Sequence, residues 1–189
     1  MNIISKIQNF FFIRLRIIKY QFLSKNKTTG SKLILTYPVL FSGKGKIVIK
    51  DKIKFGYSQS PHFFNTYGYI EARTQNSEIV IGKNVVINNN FSIVALNRIE
   101  IQDNCIIGVN FSVMDSNFHH LEPTKRNHPN PVSQPVLIGK NVFIGNNVTV
   151  LKGVIIGENS VIGSNSLVTH TVPNNVVVSG NPAQIIKKI

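Results

Sequence analysis

Two adjacent histidines, His119 and His120, stand in the stretch Asp115-Ser116-Asn117-Phe118-His119-His120-Leu121-Glu122-Pro123. Histidine is the side chain whose ordinary pKa lies near neutral pH, so either ring is suited to take a proton as a general base. Asp115 reads in two ways. It holds the imidazole of His119 in one tautomer, or it is a corner residue that bonds its own backbone. The histidines also have a bland reading, as solvated loop side chains. A metal is a further use for paired imidazoles, with His62, His128 and His170 as helpers. Zinc needs converging ligands, however, and His128 and His170 lie off any recognisable ligand spacing. No Cys or Ser constellation points to a covalent intermediate.

The elements that position this pair are dictated by a six-residue beat. A β-branched residue returns at Ile138, Ile144, Val150, Ile156, Ile162 and Val168. Glycine follows it at Gly139, Gly145, Gly157 and Gly163, and asparagine recurs at Asn141, Asn147, Asn159 and Asn165. Upstream, Ile81, Ile87 and Ile93 form one run, Ile101, Ile107 and Val113 another, and Ile49 and Phe55 an early, degraded pair. A period of six is neither helical nor simple alternation. It suits short parallel strands separated by tight corners, each strand sending one aliphatic into a shared core. Gly relieves crowding where the backbone turns, and Asn tolerates the left-handed conformation of a corner. Val142, Val148, Val154, Ser160 and Ser166 fill the rest of the interior. Stacked coils of this kind share one continuous core.

The beat breaks twice. Two residues are added between Ile93 and Ile101, and the spacing from Val113 to Ile138 is one residue more than four repeats. The second break, His119 to Pro135, contains Pro123, Pro129, Pro131 and Pro135 and reads as a loop extruded from a rigid stack.

At 189 residues one compact domain with an appendage is expected. The single Cys105 excludes a disulfide framework, fits a reducing, cytoplasmic compartment and falls on a small interior position. The charge is lopsided. Residues 1–54 hold twelve Lys or Arg and one acid, Asp51, whereas the rest hold nine basic and seven acidic residues. Ile4, Ile7, Phe11, Leu15, Ile18 and Phe22 follow helical spacing, with Lys6, Arg14, Arg16, Lys19 and Lys25 interspersed. Residues 1–30 therefore read as a basic amphipathic helix ahead of a solenoid domain over 31–189. The helix either caps the end of the stack or lies on the inner face of an anionic membrane. No apolar run is long enough for a transmembrane span or signal peptide. No nucleic-acid-binding module accompanies the charge.

The stretch VLIGKNVFIGNNVTVLKGVIIGENSVIGSNSLVTHTVPNNVVVSGNPAQIIKKI, Val136 to Ile189, resembles the hexapeptide-repeat acyltransferases, the left-handed parallel β-helix family. More narrowly it resembles the sugar O-acetyltransferase branch, which includes galactoside and maltose acetyltransferases and many capsule or O-antigen modifying enzymes. The likeness covers roughly residues 75–189, and Gly180-Asn181-Pro182-Ala183 is its specific signature. The left hand is implied by the resemblance alone, since parallel crossovers are otherwise right-handed.

The resemblance implies an all-β, left-handed parallel β-helix that transfers acetyl from acetyl-CoA to a sugar hydroxyl of a surface polysaccharide or its precursor. It implies His119 as base, with His120 the adjacent alternative on the substrate side, and the Asn146 backbone N–H as oxyanion donor. Asn88 and Asn90 fall where relatives orient the acceptor. Asn90 also sits on the recurring corner position, and Ala95 replaces an acceptor-binding Asp of the galactoside and maltose enzymes. Phe143, where many relatives carry Trp, and Gly145 are expected beside the thioester; Phe143 reads equally as a core residue. Gly163, Ser164 and Thr169 match positions along the pantetheine arm. Lys187, with Lys188 beside it, is expected at the phosphates, or else is part of a solvated basic terminus; His170 and Gln184 occupy two places where relatives carry cations. A homotrimer is implied, and no metal. The rivals are a nucleotide-sugar N-acetyltransferase, whose nucleotide-binding domain the first 75 residues do not resemble, a zinc carbonic anhydrase of the same fold, and a non-enzymatic scaffold.

Overall fold

The computed structural model describes residues 7–31, 33–129 and 131–189. Its core is a three-sided prism of parallel strands. The first face stacks Thr29–Gly30, Lys46–Ile49, Glu78–Ile81, Arg98–Ile101, Val136–Ile138 and Ile155–Ile156. The second stacks Lys54–Phe55, Val86–Ile87, Ile106–Ile107, Phe143–Ile144, Val161–Ile162 and Val176–Gly180, and Ala183–Lys188 then folds back antiparallel on the last of these. The third stacks Val39–Gly43, Gly68–Ala72, Ser92–Ala95, Ser112–Met114, Thr149–Val150 and Leu167–Val168.

The register explains the beat. Ile81 lies in line with Ile101, Ile138 and Ile156; Ile87 with Ile107, Ile144 and Ile162; Ile93 with Val113, Val150 and Val168. All twelve are at most 1% exposed. They form three columns of branched side chains, each contributing about 1.5–3 kcal/mol by leaving water. Val142, Val148 and Val154 fill the space between columns, as do Ser160 and Ser166. The two buried hydroxyls donate to Pro173 O (2.7 Å) and Gly163 O (2.6 Å), so neither is left unpaired. Cys105 packs among them with its Sγ 3.1 Å from Gly139 O, and burial pushes its thiol up to about 11. It is interior filler.

Asparagine does more at the corners than tolerate a left-handed backbone. Asn84, Asn90, Asn104, Asn110, Asn141, Asn147, Asn159, Asn165 and Asn175 have φ between 55° and 64°. Their side chains also form ladders along two edges of the prism. On one, Asn90 donates to Asn110, Asn110 to Asn147 and Asn147 to Asn165, at 2.7, 2.7 and 3.0 Å. On the other, Asn84 donates to Asn104, and Asn141 to Asn159 to Asn175.

The stack also extends upstream of the clear repeat. Ile49 and Phe55 stand in register with Ile81 and Ile87, and Lys52 takes the corner conformation there with φ 58°. The residues added between Ile93 and Ile101 belong to a coil-to-coil step of 20 residues, from Ile81 to Ile101; after the loop the step from Ile138 to Ile156 is 18.

A π-helical turn, Phe10–Arg14, leads into helix α1, Leu15–Leu23. The helix packs on Val39–Gly43 and on the segment 56–67. The expected apolar stripe does not make that contact. Ile4 and Lys6 lie outside the described residues, and Ile7, Phe11, Leu15, Ile18 and Phe22 are all exposed. Ile13 and Ile17 are buried in the core instead.

Asn159→Ala is expected to lower stability by about 1–2 kcal/mol, because alanine in a left-handed corner is strained and the ladder loses two bonds. Asn159→Gly keeps the backbone conformation and costs less. Urea midpoints of the two variants measure this, and equal losses would assign the corner to the side-chain ladder alone.

Candidate active site

The loop leaves the third face after Met114 and returns to the first face at Val136. Its root is buried and closed. Ser116 pairs with Ser133 across an antiparallel bridge, and its Oγ donates to Val132 O at 3.0 Å. Asp115 O accepts from Gln134 N–H at 2.8 Å.

His119 and His120 are each oriented by a carbonyl. His119 Nδ1 is 3.0 Å from Arg126 O, and His120 Nε2 is 3.1 Å from Pro129 O. A carbonyl only accepts, so in neutral His119 the proton sits on Nδ1 and the lone pair on Nε2 is left for a substrate. In neutral His120 the free lone pair is on Nδ1. His119 is the more exposed ring.

Asp115 does not hold His119. Its carboxylate accepts from Leu96 N–H and Asn97 N–H, both at 2.7 Å, and it is fully buried. Burial pushes its carboxyl up, and these backbone N–H groups pull it partly back. Of the two readings of Asp115, the Asp–His pairing is not found, and the carboxylate bonds main chain as an anchor across coils rather than its own corner. Where the loop leaves the stack the backbone ladder ends, and the carboxylate takes the two donors left over.

Six of the other expected residues are on a different edge. The edge between the second and third faces carries Asn88, Asn90, Gly145, Asn146, Gly163 and Ser164. Asn90 belongs to the asparagine ladder. Asn88 faces a neighbouring segment: its Nδ2 donates to Ser60 Oγ at 3.0 Å. Asn89, fully buried, pins the same segment through Tyr57 and Pro61 carbonyls at 3.0 and 2.7 Å. Asn146 N–H points to Ser164 Oγ at 3.1 Å. Gly145 has no room for a side chain, since a Cβ would lie 2.6 Å from that hydroxyl.

Phe143 is not a core residue. It is half exposed on the outer side of the second face, in register with Ile106 and Val161. Thr169 follows the last strand of the third face, on the same edge as the loop, with Oγ1 2.8 Å from His170 Nδ1. A cleft of about 170 Å³ at the end of the stack is lined by His170, Thr171, Pro173 and Gln184. Lys187 and Lys188 are exposed on the returning strand. Among the described residues no three His, Cys, Asp or Glu side chains converge on a metal position.

Sequence periodicity did not single out Arg73 and Phe118. The Arg73 guanidinium lies 4.2 Å over the Phe118 ring and is gripped by Glu71 at 3.2 and 2.9 Å. Phe118 has φ 59°, an uncommon conformation for an aromatic residue, directly before His119. The stacked guanidinium holds that turn, and with it the approach of the histidine.

Residues 135–170 match the family model described as bacterial transferase hexapeptide (six repeats). Among solved structures, a galactoside acetyltransferase in complex with coenzyme A is 33% identical, with a TM-score of 0.57, over 72% of this chain and 64% of that one. A maltose O-acetyltransferase from Clostridium difficile 630 is 28% identical, with a TM-score of 0.58, over 86% and 69%. The polySia specific acetyltransferase NeuO is 25% identical, with a TM-score of 0.60, over 85% and 81%. The chain therefore spans 64% of the length of the galactoside enzyme. These likenesses bear out both the left-handed parallel β-helix and the resemblance to hexapeptide-repeat sugar O-acetyltransferases.

Asp115→Ala strips two buried N–H groups of their acceptor and frees the loop root, so a loss of about 2–4 kcal/mol is expected in urea titration. An unchanged midpoint would return Asp115 to a role beside His119.

Proposed function

We propose that this chain is an acetyl-CoA-dependent O-acetyltransferase whose acceptor is a sugar hydroxyl of a surface polysaccharide or its precursor. The observation that carries the reading is the orientation of His119. Its Nδ1 is occupied by Arg126 O, leaving Nε2 as an exposed base at the mouth of the loop. The likeness to solved sugar O-acetyltransferases supports the chemistry that such a base serves.

An alcohol is a poor nucleophile at neutral pH. His119 Nε2 takes the hydroxyl proton as the oxygen attacks the thioester carbonyl. The oxyanion that forms needs a donor, for which Asn146 N–H is available once Ser164 Oγ turns aside. Collapse breaks the C–S bond, and the CoA thiolate takes the proton from the His119 imidazolium. Asn88 is the acceptor-side polar group and His120 borders it; Phe143, Gly145, Gly163, Ser164 and Thr169 form the donor path, and Lys187 meets phosphate.

The reading requires more than one copy of the chain. His119 and Asn146 sit on different edges, separated by one face of about six residues, or roughly 20 Å at strand rise. Neighbouring prisms packed around a three-fold axis would set the loop edge of one copy against the Asn146 edge of the next.

His119→Ala is expected to lower kcat by about 10²–10⁴-fold with an unchanged melting temperature, read as CoA release with oligosaccharide and nucleotide-sugar acceptors. Full activity in that variant would overturn the assignment of the base. Co-expressing His119→Ala with Ser164→Trp chains is expected to restore part of the turnover, because mixed assemblies contain sites with both intact edges. Absence of rescue would place each site within one chain.

A further inference from the structure

Helix α1 and the turn before it carry two apolar faces, and among the described residues one of them is used inside the molecule. Ile13 and Ile17 are buried. Around them Arg16 donates to Phe63 O at 3.1 Å and to Thr66 O, and Tyr20 stacks on Tyr67 with ring centroids 4.4 Å apart. The other face, Ile7, Phe11, Leu15, Ile18 and Phe22, has helical spacing and is exposed throughout, Phe22 at 88%. Phe12 and Phe64 continue it onto the neighbouring segment, around a shallow groove they share with Gln8. In a water-soluble helix the apolar stripe normally faces the core. Here the core side is already filled, and a spare stripe of this size marks a partner surface.

Charge names the partner. Arg14 at the end of the turn, Lys19 on the helix, and Lys25 and Lys27 just after it are all exposed. The first 54 residues hold twelve Lys or Arg against a single acid, Asp51, whose carboxylate is bonded by Ser31 Oγ. A second copy of this chain would set the basic surface against itself. An anionic bilayer would neutralise it and take the phenylalanine and isoleucine side chains into the headgroup boundary. No described helix is long and apolar enough to cross a membrane, so such a helix lies in the interface plane.

We propose that the face formed by Ile7, Phe11, Leu15, Ile18 and Phe22, with Arg14 and Lys19, docks this protein onto an anionic lipid surface. The proposal is independent of acetyl transfer, because it is read by partition. Full-length protein is sedimented with phosphatidylcholine vesicles containing about a third phosphatidylglycerol, and with phosphatidylcholine alone. Binding at least about tenfold stronger to the anionic vesicles is expected, falling steeply at roughly 0.5 M salt. Phe11→Ser with Phe22→Ser is expected to weaken that binding at least about tenfold while oligomer size and melting temperature stay unchanged. Arg14→Glu with Lys19→Glu, which leaves the apolar face intact, is expected to lower binding to anionic vesicles alone. Failure of the full-length protein to bind anionic vesicles overturns the proposal. So does dissociation of the serine variant into smaller species, which would assign the stripe to contact between copies.

Discussion

Three columns of inward β-branched side chains lock each coil over the next, and the rest of the molecule takes its coordinates from that lock. A slip of one residue would turn a whole column outward. Register therefore decides which residues reach each edge and which are hidden. It brings Gly145 under Ser164 and Gly163 under Ser179, where an added Cβ would fall 2.6 Å from a hydroxyl in each case. It also aligns the corner asparagines so that each side chain satisfies the next. Small residues and asparagines that look like site candidates in isolation are thus partly consumed by the scaffold.

The loop is held differently. Among the described residues it has no ladder of its own beyond the Ser116–Ser133 bridge. Its placement depends on a buried carboxylate, a bonded hydroxyl and one stacked guanidinium. A buried charge is costly unless its lone pairs are met, and Asp115 meets two main-chain donors of the coil beneath. This makes the loop root a rigid extension of the stack, while the two imidazoles are oriented from within the loop, by the carbonyls of Arg126 and Pro129.

The architecture was legible in the sequence because its determinant is local and repeated. Aliphatics every six residues, with Gly and Asn at the turns, state strand, corner and stacking together. The loop was legible as the place where that statement fails. What periodicity does not carry is the pairing of residues far apart in the chain. Asp115 with Leu96 and Asn97, and Arg73 with Phe118, lie off the repeat, and although Asn88 stands out in a glycine slot of the repeat, nothing in spacing names Ser60 as its partner. What the helix packs against is left open in the sequence for a related reason. Helical spacing identifies an apolar stripe, but not whether the core or something outside takes it. Ile13 and Ile17, four apart, form a shorter stripe and take the core side.

The prism geometry sets a condition on chemistry. The candidate residues sit on edges of the prism about one face apart. His119 and Thr169 share one edge; Asn88, Asn146 and Ser164 share another. Thioester chemistry needs base, oxyanion donor and acyl group within a few ångströms and away from water. On the proposed reading two edges facing each other supply that enclosure. The extruded loop then has a second use. On the proposed reading it would cover the gap between rods and carry His119 into a space whose opposite wall belongs to the neighbouring chain. On this reading oligomerisation is part of the active site rather than an addition to it. On the same reading the hydrogen bond between Asn146 N–H and Ser164 Oγ would be the resting state of the proposed oxyanion donor.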